Sequence, residues 1–80
     1  MDTRVALIGI VVENPASVML LNTLLHEYSA YIIGRMGIPY HKRDISIISV
    51  ALDAPQDIIS ALSGKLGQLD GISTKTVYSK

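Results

Sequence analysis

Leu7-Ile8-Gly9-Ile10-Val11-Val12-Glu13-Asn14-Pro15 is answered forty residues later by Ile47-Ile48-Ser49-Val50-Ala51-Leu52-Asp53-Ala54-Pro55. Each stretch is an apolar run, then a carboxylate, one spacer and a proline. A segment with helical periodicity follows each proline, and a second β-like run follows each of those. The superposition carries Ile32 onto Ile72 and Arg35 onto Lys75. Two βαβ units within 80 residues predict βαββαβ, the ferredoxin-like split-βαβ arrangement of the α+β class.

Read outward from the first copy, Val5 to Val12 is apolar on both faces of a strand. Ala6, Ile8, Ile10 and Val12 point one way; Val5, Leu7, Gly9 and Val11 point the other. Asn14 suits a helix N-cap and Pro15 a first helical position. The helix is expected to reach about Tyr28, with Val18, Leu21, Leu24, Leu25 and Tyr28 as its core stripe. Asn22, Thr23, His26 and Glu27 make its wet side, and Met19 sits among them as a lone hydrophobe. A second strand is expected over 31–36. Gly37, Pro39 and the polar His41-Lys42-Arg43-Asp44 cluster then form the connection.

The second copy repeats the plan. Ile45 to Leu52 reads as a strand with Ile45, Ile47 and Ala51 on one face and Ile48, Val50 and Leu52 on the other. Pro55 opens a helix whose stripe is Ile58, Ile59, Leu62, Leu66 and Leu69, ending near Gly67. Asp70-Gly71 reads as a turn, and Ile72 to Tyr78 as the last strand. Right-handed βαβ connections interleave the two units into one antiparallel sheet. The strands at 5–12 and 45–52 take its centre, and those at 31–36 and 72–78 its edges. Both helices cover one face, and nothing in the chain is left to cover the other. That uncovered face, an edge strand, or both, is therefore expected to be an assembly surface.

Composition narrows the chemistry. One domain spanning 1–80 is expected, and a chain this short buries only roughly 60% of the surface its unfolded form exposes. It has no cysteine, so neither disulfides nor an iron–sulfur cluster brace it. Yet 49% of its residues are hydrophobic, more than a small two-layer domain needs for its own core, which points to a subunit interface. The net charge is zero, so no basic field draws in nucleic acid or anionic lipid. The first strand begins within a few residues of the start and no apolar run is long enough to span a bilayer, so a cytoplasmic protein without a signal peptide is expected.

No catalytic constellation stands out. The serines lie outside any Gly-x-Ser-x-Gly turn. His26 and His41 are the only histidines and lack the spacing of a zinc site; each reads as a surface histidine, with a metal site shared between subunits as the alternative. An acylphosphatase-type phosphate loop would need glycines and an arginine after the first strand, where Glu13-Asn14-Pro15 stands instead. RNA binding would need aromatics on the central strands, which carry Ile, Val and Leu. No cofactor is implied.

Gly34-Arg35-Met36-Gly37 has two readings. One is a β-bulge and hairpin entry, with Arg35 guarding an edge. The other is close approach of a ligand, with the Arg35 guanidinium holding a carboxylate or phosphate.

The proline-headed turns Glu13-Asn14-Pro15-Ala16-Ser17-Val18 and Asp53-Ala54-Pro55-Gln56-Asp57-Ile58 resemble the acidic-x-Pro-Gly-x-Leu helix start of ACT-type regulatory domains. Ala16 and Gln56 stand where that pattern has glycine. Tyr31-Ile32-Ile33-Gly34-Arg35-Met36-Gly37-Ile38-Pro39-Tyr40, Ile45-Ser46-Ile47-Ile48-Ser49-Val50 and Ser60-Ala61-Leu62-Ser63-Gly64-Lys65-Leu66-Gly67 resemble the iron-only hydrogenase system regulators. These are small stand-alone bacterial proteins found with hydrogenase genes. The resemblance implies an ACT-like fold, akin to the C-terminal domain of nickel-responsive repressors, and a regulatory role by association. Those repressors use His and Cys metal ligands and a separate DNA-binding arm. The chain has neither the cysteine nor the arm, so nickel sensing and direct DNA contact do not carry over. A homo-oligomeric regulatory module, with a small ligand near Gly34, Arg35, Met36 and Gly37, is the expectation. A ligand-free adaptor and an acylphosphatase-type enzyme are the alternatives.

Overall fold

The computed structural model describes residues 2–79. The chain runs β1 (Arg4–Val12), α1 (Val18–Glu27), β2 (Ile32–Tyr40), β3 (Ile45–Ala54), α2 (Gln56–Gly67) and β4 (Ile72–Tyr78). The sheet is antiparallel in the order β2-β3-β1-β4, as the interleaved repeat requires. Ala6, Ile8, Ile10 and Val12 of β1 and Ile48, Val50 and Leu52 of β3 are buried. They share one core with Leu21 and Leu25 of α1, Ile59, Leu62 and Leu66 of α2, and Ile72 of β4. Both helices therefore lie on a single face, and the period-two alternation of β1 assigns its other side chains to the opposite one.

The helix starts differ. At the first, Asn14 Oδ1 accepts from the Ala16 N–H at 3.0 Å, but it caps a 3₁₀ turn over Pro15–Ser17 that leads into α1. Asn14 Nδ2 also donates to Asp70 Oδ2 at 2.6 Å, the Ser17 hydroxyl donates to the Asp70 carbonyl at 2.7 Å, and the Glu13 N–H donates to the Gly71 carbonyl at 2.7 Å. The β1–α1 and α2–β4 turns are thus one interlocked unit. Gly71 has φ +70, and a Cβ there would lie 2.5 Å from Asn14 Cβ, so only glycine fits. At the second start, Pro55 is itself the N-cap and makes no side-chain cap bond; the helix begins at Gln56.

Two sequence expectations need correction around β2. Tyr31 belongs to a short 3₁₀ turn, Ser29–Tyr31, and the strand starts at Ile32. The strand also continues through Gly37 and Pro39 to Tyr40, where a connection was expected. Pro39 is tolerated because β2 is an edge strand with a ladder on one side only, so a missing N–H can fall on the unpaired side. The reversal is confined to 41–44. It closes with the Arg43 N–H on the Tyr40 carbonyl at 3.3 Å and with Asp44 at φ 56, a left-handed position that Asp accepts more readily than most residues.

Candidate functional site

The face away from the helices is apolar and open. Strand register sorts it into rows running across the sheet. Gly34, Ala51, Leu7 and Val77 form one row. Met36, Ser49, Gly9 and Lys75 form the next, and Ile38, Ile47, Val11 and Ser73 the third. None of these residues is buried. Met36 is 72% exposed and Ile38 63%, values far from those of a strand seated on a core. Between the outer rows the Gly9–Ser49 pair leaves a hollow of about 320 Å³, walled by Val11 and Ile47 and ending at Lys75. A contiguous apolar surface of this kind is uncommon on a solvated face.

A second, smaller feature lies on the helix side, between α1 and the edge strand β2. β2 carries a register shift between Ile32 and Gly34, the bulge anticipated from its glycines. The shift pairs Arg35 with Val50, a core-facing residue, so the Arg35 side chain turns toward the helices. Its Nη2 donates to Asn22 Oδ1 of α1 at 3.2 Å. The groove they bound, about 340 Å³, is also lined by Leu25, His26, Ser29 and Ile32. A guanidinium, an imidazole, an amide and a hydroxyl around an apolar floor can hold a small carboxylate or phosphate.

The candidate residues are therefore divided. Arg35 and Gly37, which pairs with the buried Ile48, lie on the helix side; Gly34 and Met36 lie on the open face. A Cβ added at Gly34 would meet nothing within 4 Å. His26 comes to the same groove as Arg35, whereas His41 sits in the hairpin turn beside Pro39, Asp44, Pro15 and Val18. The described residues contain no gathering of three or more His, Cys, Asp or Glu side chains. Asn22 and Ser29 escaped the sequence reading. Asn22 was legible only as part of the wet side of a helix, and nothing local announces that a bulge will deliver Arg35 to it.

Two other polar groupings are satisfied within the chain. Arg4 Nη1 donates to Gln56 Oε1 at 2.8 Å and lies 4.3 Å from the Tyr78 ring centroid, while Gln56 Nε2 donates to the Tyr78 hydroxyl at 2.8 Å. Lys65 lies 5.3 Å from the Tyr28 ring centroid. Its pKa is raised, first by hydrogen bonding with Tyr28 and then by that group's charge. Both groupings tie elements of the chain together.

Residues 4–76 match the model of the TM1266-like family, described as "Iron-only hydrogenase system regulator, putative". The chain belongs to this family. The structure of an uncharacterized TM1266 protein from Thermotoga maritima is 39% identical, with a TM-score of 0.95 over 99% of this chain and 100% of that one. More distant likenesses show the fold alone. A formyltetrahydrofolate deformylase from Pseudomonas putida KT2440 gives a TM-score of 0.65 at 13% identity, over 91% of this chain and 28% of that chain. The nitrogen regulatory PII-like protein CPII from Thiomonas intermedia K12, bound to ADP, AMP and bicarbonate, gives 0.54 at 11% identity over 100% of both chains. No curated protein matches. The TM1266-like assignment agrees with the resemblance to iron-only hydrogenase system regulators read from the sequence, and the family's description is that of a regulator. No helix among the described residues is long and apolar enough to cross a membrane.

Proposed function

We propose that this chain is a non-catalytic regulatory module of an iron-only hydrogenase system, cytoplasmic, and active as a homo-oligomer assembled through its open sheet face. The observation that carries the reading is the apolar surface formed by Leu7, Val11, Met36, Ile38, Ile47 and Val77. Leaving it in water forgoes about 25 cal/mol for each Å² that a partner would cover. The family's description as a regulator supports the same reading.

In this reading a small carboxylate- or phosphate-bearing ligand is sensed at the edge strand, with Arg35 as the anion-holding group and Gly34, Met36 and Gly37 as its neighbours. Asn22 and His26 complete the groove on the helix side. A transcriptional output passes through a protein partner, because a chain of zero net charge presents no field to DNA.

Light scattering over a range of concentrations, joined to a thermal-shift screen of amino acids, nucleotides, phosphate and divalent metals, tests both parts. The expected result is an oligomer with at least one stabilising anion whose effect is lost in Arg35→Ala, since a compound preferring the folded state raises its melting temperature. A monomer overturns the assembly reading. A second reading, a ligand-free adaptor, is favoured by the Arg35–Asn22 hydrogen bond, which occupies part of the guanidinium without any ligand. An oligomer whose stability no anion shifts would select it. Turnover of an acyl phosphate would contradict both readings.

A further inference from the structure

Gly9 occupies the middle of a central strand for no reason internal to the chain. Its φ is not positive. A Cβ added there would meet only the Lys75 carbonyl oxygen, at 3.9 Å, an ordinary contact. Glycine weakens a strand interior, and where the backbone does not require it, it marks close approach of something outside the strand. Gly9 also sits at the centre of the open face, beside Ser49 and between two rows of larger apolar side chains.

Resting on the assembly reading above, we propose that the approaching body is a second copy of this chain. It lies face to face on the sheet with the two-fold axis parallel to the strands, so that β1 of one copy lies over β3 of the other and β4 over β2.

Packed sheets stand about 10 Å apart with their strands within about 30° of each other. An axis along the strands keeps each row over itself and exchanges its two ends. Leu7 then faces Ala51, Val77 faces Gly34 and Ile38 faces Ser73. Each of these is large over small, the alternation that lets two layers interdigitate, while Val11 faces Ile47 as the one bulky pair. Gly9 faces Ser49, which lets the centres of the sheets come close. Lys75 faces Met36 at the rim, where the lysine stem can lie on the apolar side chain with its ammonium in water.

An axis across the strands through the same centre would instead set Lys75 over Lys75, opposing like charges. It pairs Val11 with Leu7 where the strand-parallel axis pairs it with Ile47, so side-chain bulk does not separate the two axes and the lysine pair does. Area permits a stable pair. Four strands about 4.8 Å apart and about eight residues long at about 3.4 Å each span on the order of 500 Å² in plan. Side-chain relief brings the accessible surface toward the ~800 Å² per partner of a standard interface. The zero net charge adds no long-range repulsion between copies.

The chain has no cysteine, so introduced thiols report cleanly. Met36→Cys and Lys75→Cys are each treated alone, and as a co-refolded mixture, with a short bis-maleimide. The expected result is a band at twice the chain mass from the mixture and its loss in either variant alone. Gly34→Cys mixed with Val77→Cys is the second pair, should the first perturb folding. Crosslinking of a single variant with itself would place the axis across the strands and overturn the proposal. Failure of both mixtures in a protein that still sediments as an oligomer would overturn this geometry and leave the assembly reading intact. Sedimentation as a monomer would remove that reading and the proposal with it.

Discussion

β2 and β4 occupy the two edges of one sheet and come from matching places in the repeat, with Ile32 aligned to Ile72 and Arg35 to Lys75. β4 enters the sheet through a locked turn, where Gly71 packs against Asn14 and Asp70 is held by Asn14 and Ser17. It runs regularly from a buried Ile72. β2 enters through a 3₁₀ turn and a bulge, then continues for nine residues of which none is buried. The bulge is one residue, and in a strand one residue exchanges the faces. Arg35 therefore points to the helices while its counterpart Lys75 stays on the open face. Two halves of similar sequence thus give one edge suited to stability and another with surface to spare for contacts.

That contrast can be pressed on directly by urea denaturation of matched variants. Ile72→Ala removes a side chain that is 7% exposed within the core and is expected to cost about 3 kcal/mol. Gly71→Ala places a Cβ against Asn14 in a left-handed backbone and is expected to cost about 2 kcal/mol. Ile32→Ala, at the half-buried position matching Ile72, is expected to cost about 1.5 kcal/mol. Equal losses at Ile32 and Ile72 would erase the distinction between the edges. Arg35→Ala gives up an exposed hydrogen bond and is expected to change stability by about 0.5 kcal/mol or less. A much larger loss there would make Arg35 a structural brace rather than a residue available to a ligand.

Most of the fold was legible because the repeat and the period-two alternation state it twice. The buried set of β1 and β3 follows from Ala6-Ile8-Ile10-Val12 and Ile48-Val50-Leu52, and the strand order follows from the handedness of the crossovers. What escaped was local and non-periodic. Gly37 and Pro39 are turn-formers in isolation, and only the ladder to β3 holds them in a strand. The place of Arg35 depends on a bulge whose existence the glycines suggested but whose consequence for facing they did not. Asn22 joins Arg35 through tertiary register alone, across a separation of thirteen residues. The proposed groove was thus half visible: Arg35 could be picked out in the sequence, and the residues packed around it could not.

The account rests on the open face of the sheet being covered by another copy in solution. Sedimentation equilibrium of the wild-type chain beside Leu7→Asp measures this directly, because Leu7 is half exposed on a central strand of that face and outside the core. A wild-type mass of at least twice 8.7 kDa is expected, with a folded variant shifted to the single-chain mass. A wild-type protein that stays at 8.7 kDa at high concentration would contradict it.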